Sequence, residues 1–594
     1  MVSTSTLPEG LDYVAVANKW FDAFGPLVER GDATGVLDLL TEDSFWRDAL
    51  ALTWDLRTFD GPAKIKRFLD DRLKVVKFTN LKLGGPSLVD NSLVNVWIQS
   101  IFTFDIDGYG LGTGVLRLVP TSTGEWKGYT IYTSLSRLKD HPEQLGEHRN
   151  HLPNHGKWLE QRQHEAEFVD EEPYVLVVGG GHGGVHIAAR LKHLGVPTLV
   201  VERNARIGDN WRNRYDILCL HDPVWHNQFP YIPFPSVWPT FTPSKKLGEW
   251  FEFYVSALEL NVWTSSEVLL VEKDSQSNEW RVKVRRTGPN PTERVFRPVH
   301  VIFALGTEVT PHIPDFPGKE KFKGEMIHTS KFKSAKENAG KRVLVVGAGT
   351  SGHDIAWEHV NCGAAEVTIY QRNPTYIVSH KEAVAGITRG SYWYEEGGPP
   401  THVVDLYTYS LPRLVSKSLL KAVTAKMAKA DKDLHAGLEA KGFRTSLGDD
   451  DAGLIWLMWV RAGGFYLDVG ASTMIVNGQI RVKSGPELQG FDETGALFDD
   501  GSKAEADVVV IATGYENVRE SITKLCAPEI SEKIKPIWGL DGEYELNSVW
   551  RDCGVDKMWI AFGNIGASRY HSSLVALQIK AMKEGIFNGE RYSL

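Results

Sequence analysis

Two copies of one short pattern, at 179–184 and 347–352, constrain what this chain can fold into more than any other feature. Each copy is a Gly-x-Gly-x-x-Gly turn that follows a β-branched run, at 174–178 and 342–346, and precedes a helical pattern. Such runs are typical of parallel strands that are buried on both faces. The order of strand, glycine turn and helix predicts a Rossmann-like dinucleotide-binding fold, and the chain has two of them.

In the first copy, each glycine has a separate predicted role. Gly179 permits a tight turn, Gly181 lets the backbone approach a pyrophosphate, and Gly184 allows the helix to pack closely on the strand. The helix N-terminus would hold the phosphates. The next strand ends in Glu202, whose carboxylate can accept hydrogen bonds from an adenosine ribose. These residues predict a dinucleotide site.

The second copy repeats the pattern but ends differently. Its fingerprint residues are Gly347, Gly349, Ser351 and Gly352, and the strand that follows ends in Gln371-Arg372 where the first copy has an acid. An acid would repel a ribose 2′-phosphate, whereas a guanidinium can bind it in bidentate fashion. The second nucleotide is therefore predicted to be NADP rather than NAD. The alternative is that Arg372 is an ordinary solvated arginine at a strand end.

Two dinucleotide folds in one chain predict that electrons pass from a nicotinamide to a resident flavin. The flavin can then reduce either a disulfide or oxygen. The four cysteines, Cys219, Cys362, Cys526 and Cys553, form no Cys-x-x-Cys pair. Oxygen is therefore the predicted electron acceptor.

Composition limits the other partners and the location. A length of 594 residues is typical of three or four domains, and the formal charge of −9 does not favour a nucleic-acid partner. No apolar run approaches the roughly 20 residues that a membrane helix needs, and the first ten residues lack a signal pattern. We expect a cytoplasmic protein with no integral membrane anchor, and a homodimer is left open.

Residues 1–140 are predicted to form a separate α+β domain. Helical patterns at 13–30 and 36–40 precede alternating strand patterns at 93–104, 112–119 and 126–135, which predict an antiparallel, curved sheet. The order resembles the nuclear-transport-factor-like, or SnoaL-like, cone. No histidine occurs in these residues, which removes the commonest general base, although Asp48 and Tyr129 could line a pocket. A shaping, docking or dimerising role is favoured over catalysis.

The remaining boundaries follow from the two fingerprints. We predict a linker at 141–172, the first part of an FAD-binding domain at 173–335, an NADPH-binding domain at 336–507 and the second part of the FAD-binding domain at 508–594. An aromatic, helical insert at 381–470 is predicted to cover the flavin or simply to form core. The linker carries five histidines whose spacing matches no compact metal-ligand motif, so no metal site is predicted: His141, His148, His151, His155 and His164.

A longer motif between the two folds carries a family resemblance. Residues 322–332 match the pattern FxGxxxHxxx(Y/F), and 512–515 read Ala-Thr-Gly-Tyr. Both resemble the flavin-containing monooxygenases, a class B flavoprotein family, over about residues 173 to 594. The resemblance implies a two-dinucleotide-binding α/β fold with FAD and NADPH as cofactors. His328 of the motif is interpreted as a structural residue that couples two domains.

The resemblance also assigns single residues. Trp211, in a Gly-x-x-Trp segment, should lie beside the flavin, Thr513 belongs to the late Ala-Thr-Gly-Tyr element, and 566–580 resemble the helix that closes on the flavin. His221 falls where the amine- and sulfide-oxidising branch has an asparagine. It is interpreted as both a cofactor-binding and a catalytic residue, with Asp222 as its catalytic neighbour.

Departures from the family pattern bear on the reaction. The Baeyer–Villiger branch ends its motif with Trp followed by Pro or Asp, whereas this chain has Phe332-Lys333, and it has Tyr215-Asp216 where that branch has an aromatic residue and proline. The segment 220–223, Leu-His-Asp-Pro, resembles instead the plant indole-pyruvate monooxygenases.

The resemblance implies that NADPH reduces FAD, that O₂ adds to the reduced flavin, and that the resulting hydroperoxide transfers one oxygen atom to a small organic substrate. N- or S-oxygenation is the predicted reaction. The alternatives are Baeyer–Villiger oxidation, oxidative decarboxylation of a 2-oxo acid, an NADPH oxidase, and a non-catalytic assembly subunit.

Overall fold

Three sheets of five or six strands organise the chain, which the computed structural model describes at residues 10–90, 96–288, 291–307, 309–389 and 393–593. Three features of the sequence analysis fall outside these ranges: the first nine residues, Leu93 at the start of a predicted strand, and Tyr392 of the aromatic insert. No helix in the described ranges combines the length and the apolar character that crossing a bilayer requires.

The N-terminal region is an α+β unit built on a six-stranded sheet. Two helices begin where an aspartate side chain accepts a backbone N–H, with Asp12 capping the first helix at 2.9 Å and Asp32 the second at 2.9 Å. Its helices are Tyr13–Glu29, Ala33–Asp38 and Gly61–Arg72, and its strands in sheet order are Leu56–Asp60, Leu40–Ala49, Trp126–Leu138, Gly110–Pro120, Trp97–Ile106 and Phe78–Asp90.

This sheet corrects one expectation. It is mixed rather than antiparallel, because Leu40–Ala49 pairs in parallel with Trp126–Leu138 while the other pairs are antiparallel. The helix Gly61–Arg72 was not predicted from the sequence. A parallel pair needs a crossover, and the residues between these two strands provide it.

The first parallel sheet contains the first glycine turn. Its strands in order are Met558–Ile560, His300–Phe303, Val175–Val178, Thr198–Val201 and Val262–Trp263, and all neighbours are parallel. An antiparallel sheet of Ser266–Lys273, Trp280–Arg286 and Thr292–Phe296 accompanies it. The helices of this part are His182–His193, Asp209–Arg212, Ser244–Ala257, Val518–Thr523, Pro528–Ser531 and Ile565–Lys583. The preceding linker holds a short 3₁₀ turn at Gly146–His148 and the helix Trp158–Glu167.

The second parallel sheet contains the second glycine turn. Its strands in order are Glu325–His328, Val508–Ile511, Arg342–Val346, Glu366–Gln371 and Arg481–Ser484. Glu325–His328 and Val508–Ile511 come from segments that the sequence analysis gave to the FAD-binding domain. The sheet therefore extends beyond the predicted boundaries at 335/336 and 507/508, because the chain enters and leaves this unit through paired parallel strands.

The insert and the remaining elements surround this second sheet. Smaller sheets are Thr445–Ser446, Thr375–Ser379 and Phe465–Asp468, and Leu488–Phe491, Gly495–Phe498 and Lys503–Glu505. The α-helices are Thr350–Asn361, His380–Ala383, Thr401–Ser410, Arg413–Ala430, Lys432–Ala440, Gly453–Arg461 and Ala471–Val476, with a π-helical segment at Val384–Arg389. Short 3₁₀ turns lie at Lys319–Lys321, Lys336–Asn338 and Asp449–Asp451.

The N-terminal unit shares its core with the last helix of the chain. Leu574, Leu577 and Ala581 of Ile565–Lys583 belong to the same buried cluster as the apolar side chains of the N-terminal sheet. Trp54 stacks on Phe587 at 4.6 Å between ring centroids. The N-terminal unit therefore packs directly on the helix that the sequence analysis placed at the flavin.

Both polar candidates of the N-terminal unit make packing contacts within it. Asp48 is fully buried and accepts hydrogen bonds from Leu52, Thr53 and Thr133. Burial raises the pKa of Asp48 to about 6 although these donors oppose the rise. Tyr129 packs edge-on against Phe45 at 6.0 Å. Both side chains thus serve the packing of the unit.

Candidate functional site

The first glycine turn has the close contacts that its residue types predict. Gly179 has φ +108°, and a Cβ there would lie 2.5 Å from the carbonyl oxygen of Ala304 on the neighbouring strand end. A Cβ on Gly184 would lie 2.0 Å from the carbonyl oxygen of Gly179. Around Gly181, by contrast, the nearest atom to such a Cβ is Asn210 Nδ2 at 3.7 Å. Two glycines are therefore required by packing, while the third borders open space.

The second turn repeats this geometry. Gly347 has φ +123°, and a Cβ there would lie 2.4 Å from the carbonyl oxygen of Ala512. A Cβ on Gly352 would lie 2.2 Å from the carbonyl oxygen of Gly347, whereas one on Gly349 would meet nothing within 4 Å. Open space at the N-terminus of a helix is where a pyrophosphate binds. Both turns are therefore shaped to receive a dinucleotide.

The space beside the first turn is a cavity of about 310 Å³, here called the first cavity. Gly179, Gly181 and Glu202 line it. The Glu202 carboxylate accepts the N–H of Gly180 at 2.7 Å and that of Asn204 at 2.8 Å, which fixes it at the cavity edge. His182 also lines the cavity, and its Nδ1 is buried without a hydrogen-bond partner among the described residues. An open cradle and an unpartnered polar atom fit a bound FAD.

The space beside the second turn is a cavity of about 410 Å³, here called the second cavity. Gly349, Ser351 and Gly352 line it, together with Arg461 from the end of the insert helix Gly453–Arg461. Gly347 is not among the lining residues. Its role is the close contact with the neighbouring strand end.

A third cavity of about 300 Å³, here called the apolar cavity, lies under the insert. His221 and Asp222 line it. Most of its other lining side chains are apolar or aromatic: Pro223, Ala383, Val384, Tyr394, Tyr409, Leu454, Ile455, Met458, Trp459, Phe465, Leu467, Trp538, Leu546 and Ala567. A small, mostly apolar cavity with a few polar groups is typical of a small-molecule site.

The three cavities meet at two aromatic side chains. Phe562 lines both the first and the second cavity, and Trp538 lines both the second and the apolar cavity. The two rings pack edge to face with centroids 4.9 Å apart. Thr350 and Phe465 also line both the second and the apolar cavity. Ligands in the three cavities would therefore converge around this pair of rings.

His221 belongs to a buried polar cluster that joins two domains. Its Nε2 lies 3.6 Å from Oδ2 of Asp354, which also accepts a hydrogen bond from Tyr215 Oη at 2.8 Å. Burial lowers the pKa of His221, but the contact with Asp354 and the charges of Asp354 and Asp222 outweigh this effect, so the pKa is raised above its ordinary value. Its Nδ1 is buried and has no hydrogen-bond partner among the described residues.

His571 is a second polar group of the apolar cavity, one that the sequence analysis did not identify. Its Nδ1 bonds to the carbonyl oxygen of Ala567 at 2.9 Å, and its Nε2 is buried without a partner in the described part of the chain. Burial lowers its pKa to about 3, and the nearby charges of Arg413 and Arg47 contribute to the shift. The imidazole is therefore neutral, and because Nδ1 carries the hydrogen, Nε2 is an acceptor.

Arg372 lies exposed at the carboxyl end of Glu366–Gln371, the edge at which ligands bind in such sheets. A second exposed guanidinium lies beside it, since Arg444 donates to the carbonyl oxygen of Arg372 at 2.5 Å and to Ser484 at 2.8 Å. Gln371 is buried, and its amide bonds to the backbone of Arg444. Arg444 is 72 residues from Arg372 in sequence, and no sequence motif surrounds it.

Three further residues of the sequence analysis lie near the cavities without lining them. Trp211 is half-buried, and its neighbour Asn210 lines the first cavity instead. Thr513 donates to the carbonyl oxygen of His312, while Ala512 and Gly514 on either side line the second cavity. His328 bonds to Ser330 and, at 3.0 Å, to the carbonyl oxygen of Gly514, so it joins the end of the edge strand Glu325–His328 to the loop that follows the neighbouring strand Val508–Ile511.

The aromatic and leucine side chains of the insert face different parts of the molecule. Tyr394, Trp459 and Phe465 line the apolar cavity. Trp393, Leu406, Tyr407 and Leu411 pack against the N-terminal unit instead, Tyr466 belongs to the core of the second sheet, and Trp456 to a small cluster of the insert. The insert therefore covers a cavity with one face and binds the N-terminal unit with another.

The chain is similar to several indole-3-pyruvate monooxygenases of plants. Indole-3-pyruvate monooxygenase YUCCA1 of Oryza sativa subsp. japonica is 30% identical over 346 residues, which cover 58% of this chain and 77% of that protein. The probable indole-3-pyruvate monooxygenase YUCCA1 of Arabidopsis thaliana is 28% identical over 345 residues, with 58% and 75% covered.

Solved structures share the fold. An ε-caprolactone-bound cyclohexanone monooxygenase matches with a TM-score of 0.51 and 18% identity, over 69% of this chain and 88% of that one. OTEMO in complex with FAD and NADP matches with a TM-score of 0.50 and 16% identity, over 70% and 86%. A profile of the family described as Flavin-binding monooxygenase-like matches residues 225–535. The chain therefore belongs to the flavin-binding monooxygenase-like family.

Proposed function

We propose that FAD binds in the first cavity and NADPH in the second, and that one oxygen atom of O₂ is transferred to a small organic substrate in the apolar cavity. The observation that carries this proposal is the meeting of the three cavities at Phe562 and Trp538. Bound FAD would supply the chemistry, accepting electrons from NADPH and passing them to O₂.

The side chains of this chain would hold and enclose these groups. Gly181 and the helix N-terminus behind it would bind the FAD pyrophosphate, with Glu202 at the ribose and Trp211 close to the ring system. Gly349, Ser351 and Gly352 would bind the pyrophosphate of NADPH, and Arg372 would bind its 2′-phosphate. Thr513 would lie in the loop beside the second cavity. The apolar lining and the insert would exclude water from the reacting groups.

The assignment of domains follows from these sites. We propose that residues 173–335 and 508–594 form the FAD-binding domain apart from the two strands noted above, and that 336–507 form the NADPH-binding domain. Residues 1–140, with their mixed sheet and three helices, are proposed to be a nuclear-transport-factor-like unit that shapes the substrate site.

N- or S-oxygenation is the reaction that the sequence motifs favour. A second candidate, oxidative decarboxylation of a 2-oxo acid, is supported by His221 and Asp222 in the apolar cavity and by the similarity to indole-3-pyruvate monooxygenases. A raised pKa favours the protonated form of this histidine, and a positive charge in the cavity suits an anionic substrate.

Isotope labelling tests the proposed function. We expect purified, FAD-loaded protein to consume NADPH under ¹⁸O₂ and to place one labelled oxygen atom in the product of an apolar amine, sulfide, ketone or 2-oxo acid, as mass spectrometry would detect. The product that forms decides between the reactions. Hydrogen peroxide equal to the NADPH consumed, with each class of substrate, would identify an oxidase instead, and protein that binds no flavin would identify an assembly subunit.

Gly181→Val is expected to abolish retention of FAD while the protein still folds. The nearest atom to a Cβ at this position is Asn210 Nδ2 at 3.7 Å, so the branched side chain would extend into the space proposed for the pyrophosphate. Flavin absorbance per protein after gel filtration measures the result, and circular dichroism checks the fold. Gly184→Val is the matched control and should prevent folding, since its Cβ would lie 2.0 Å from Gly179 O. Full flavin content in Gly181→Val would contradict the assignment.

Arg372→Ala is expected to raise the KM for NADPH roughly ten- to a hundredfold and to leave that for NADH nearly unchanged. A charge-assisted hydrogen bond contributes about 1.5–3 kcal/mol, and about 1.4 kcal/mol corresponds to a factor of ten. Steady-state kinetics with both nucleotides measure the effect. Arg481→Ala is the control, because Arg481 lies at the opposite end of the same sheet, paired with Glu366. Equal effects on both nucleotides would refute the role of Arg372.

His221→Asn is expected to flatten the pH dependence of coupling, measured as product formed per NADPH between pH 6 and 8.5. The raised pKa increases the protonated fraction of His221 near neutrality, and its charge, together with the stabilising ion pair to Asp354, is lost as pH rises through that pKa. His380, whose pKa is lowered by burial and by the nearby His221, adds no charge there. His402→Asn, at an exposed position outside the three cavities, is the control. Identical profiles in wild type and His221→Asn would make His221 structural.

A further inference from the structure

One charged side chain in the wall of the apolar cavity has no part in the function proposed so far. Arg413, the first residue of the helix Arg413–Ala430, lines the cavity, and its side chain is only 5% exposed. Its guanidinium lies over the ring of Trp459, 5.5 Å from the centroid, and Trp459 also lines the cavity. A buried charge is costly unless it is paired and hydrogen-bonded.

The pairing of Arg413 is incomplete. Glu545 is its carboxylate partner, at 2.5 Å from Nη1, and the same Nη1 donates to the carbonyl oxygen of Tyr544 at 3.2 Å. Nε of Arg413 is buried without a hydrogen-bond partner among the described residues. A guanidinium has five N–H donors, so this one has capacity left for a ligand.

Glu545 is mainly engaged by the N-terminal unit. Its two oxygens accept Nε and Nη2 of Arg47 at 2.6 and 2.8 Å, and Thr58 donates to one of them at 2.8 Å. Arg47 thus takes the bidentate geometry that is strongest for such pairs, and Arg413 makes a single contact with the same carboxylate. Two buried guanidiniums therefore share one carboxylate.

The neighbouring charges do not complete the pairing. Arg551 lies between Asp55 and Asp541, at 3.1 and 2.7 Å, so these carboxylates are already bound to another guanidinium. Within the described ranges, Glu545 is the one carboxylate within 4 Å of Arg413. Asp222 also lines the apolar cavity, but it is associated with His221 and His226.

Arg47 also holds a second part of the cavity wall. Its Nη1 donates to the carbonyl oxygen of Tyr409, which lines the cavity. Tyr409 stacks on Tyr570 at 4.3 Å, and the Tyr570 hydroxyl is hydrogen-bonded to that of Tyr132 in the N-terminal sheet. The N-terminal unit therefore contacts both residues, Arg413 through Glu545 and Tyr409 directly.

We infer that Arg413 binds a carboxylate group of an otherwise apolar substrate, and that Arg47 of the N-terminal unit positions Arg413 through the carboxylate that they share. This inference rests on the proposed function, because it takes the apolar cavity as the substrate site. It gives the N-terminal unit a defined part in substrate recognition. Arg413 is the binding residue, and Arg47 is a positioning residue.

Ligand binding to the FAD-loaded full chain tests the inference without turnover. The probes are 3-phenylpropanoate and its uncharged amide, and binding is followed by the perturbation of the flavin absorbance spectrum. We expect the wild type to prefer the carboxylate. Arg413→Met should weaken binding of the carboxylate ten- to a hundredfold and leave binding of the amide within about twofold, since one charge-assisted contact is lost. Arg413→Lys, which keeps the charge without the planar fork, should lie between the two and serves if Arg413→Met fails to fold.

Arg47→Met should weaken binding of the carboxylate several-fold, with partial recovery in Arg47→Lys. The matched control is Arg57→Met, which breaks another ion pair across the same interface, to Glu543 at 2.6 Å. Among the described residues Glu543 makes no ion pair with Arg413, whereas the partner of Arg47, Glu545, does. Three outcomes would overturn the inference. The wild type could prefer the amide, it could bind neither probe, or both Arg413 variants could lose binding of the two probes to the same extent. Anaerobic reduction of the flavin by NADPH is measured separately, so failure of the proposed function is distinguishable from failure of this inference.

Discussion

The close approach of backbone to backbone at the two glycine turns is the contact on which the rest of the structure depends. In each turn the first glycine touches the end of a neighbouring strand, and the last glycine touches the first. A side chain on the first or the last glycine would overlap a backbone oxygen, so only glycine allows the strand ends and the helix to approach this closely. The middle glycine borders free space. Repeating this arrangement in two sheets opens two nucleotide-sized spaces toward each other. The aromatic pair Phe562 and Trp538 then lies where these spaces and the apolar cavity meet.

The sequence was informative wherever function depends on local geometry. Both Rossmann-like folds, their order and the α+β unit in front of them follow from periodicity and from glycine spacing, and the family motif at 322–332 supplies the edge strand Glu325–His328 of the second fold. Boundaries were less accurate, because the strands Glu325–His328 and Val508–Ile511 are apolar runs whose pairing partners cannot be read from their own residues. The parallel strand pair in the N-terminal sheet was missed for the same reason.

The contacts that shape the apolar cavity could not be predicted because they are remote in sequence. Arg47 and Glu545 are separated by 498 residues, and Arg413 and Glu545 by 132. The helical pattern of the insert around Arg413 does not indicate which carboxylate its side chain pairs with. The same holds for His571, whose unpartnered nitrogen becomes visible only once the helix Ile565–Lys583 is packed. His221 was found because a motif surrounds it, and the structure adds its partner Asp354, which lies in the other nucleotide fold.

The shared core between the N-terminal unit and the last helix has a consequence for how the chain is made. The ribosome completes the strand Trp126–Leu138 long before the helix that begins at Ile565, because 426 residues lie between them. At roughly 5–20 residues per second, the apolar face that Leu574, Leu577 and Ala581 will cover stays without its partner for on the order of 20 to 90 seconds. Nascent chains of this protein therefore expose an apolar, aggregation-prone surface through most of translation. Chaperone supply during synthesis should then set the yield of folded enzyme.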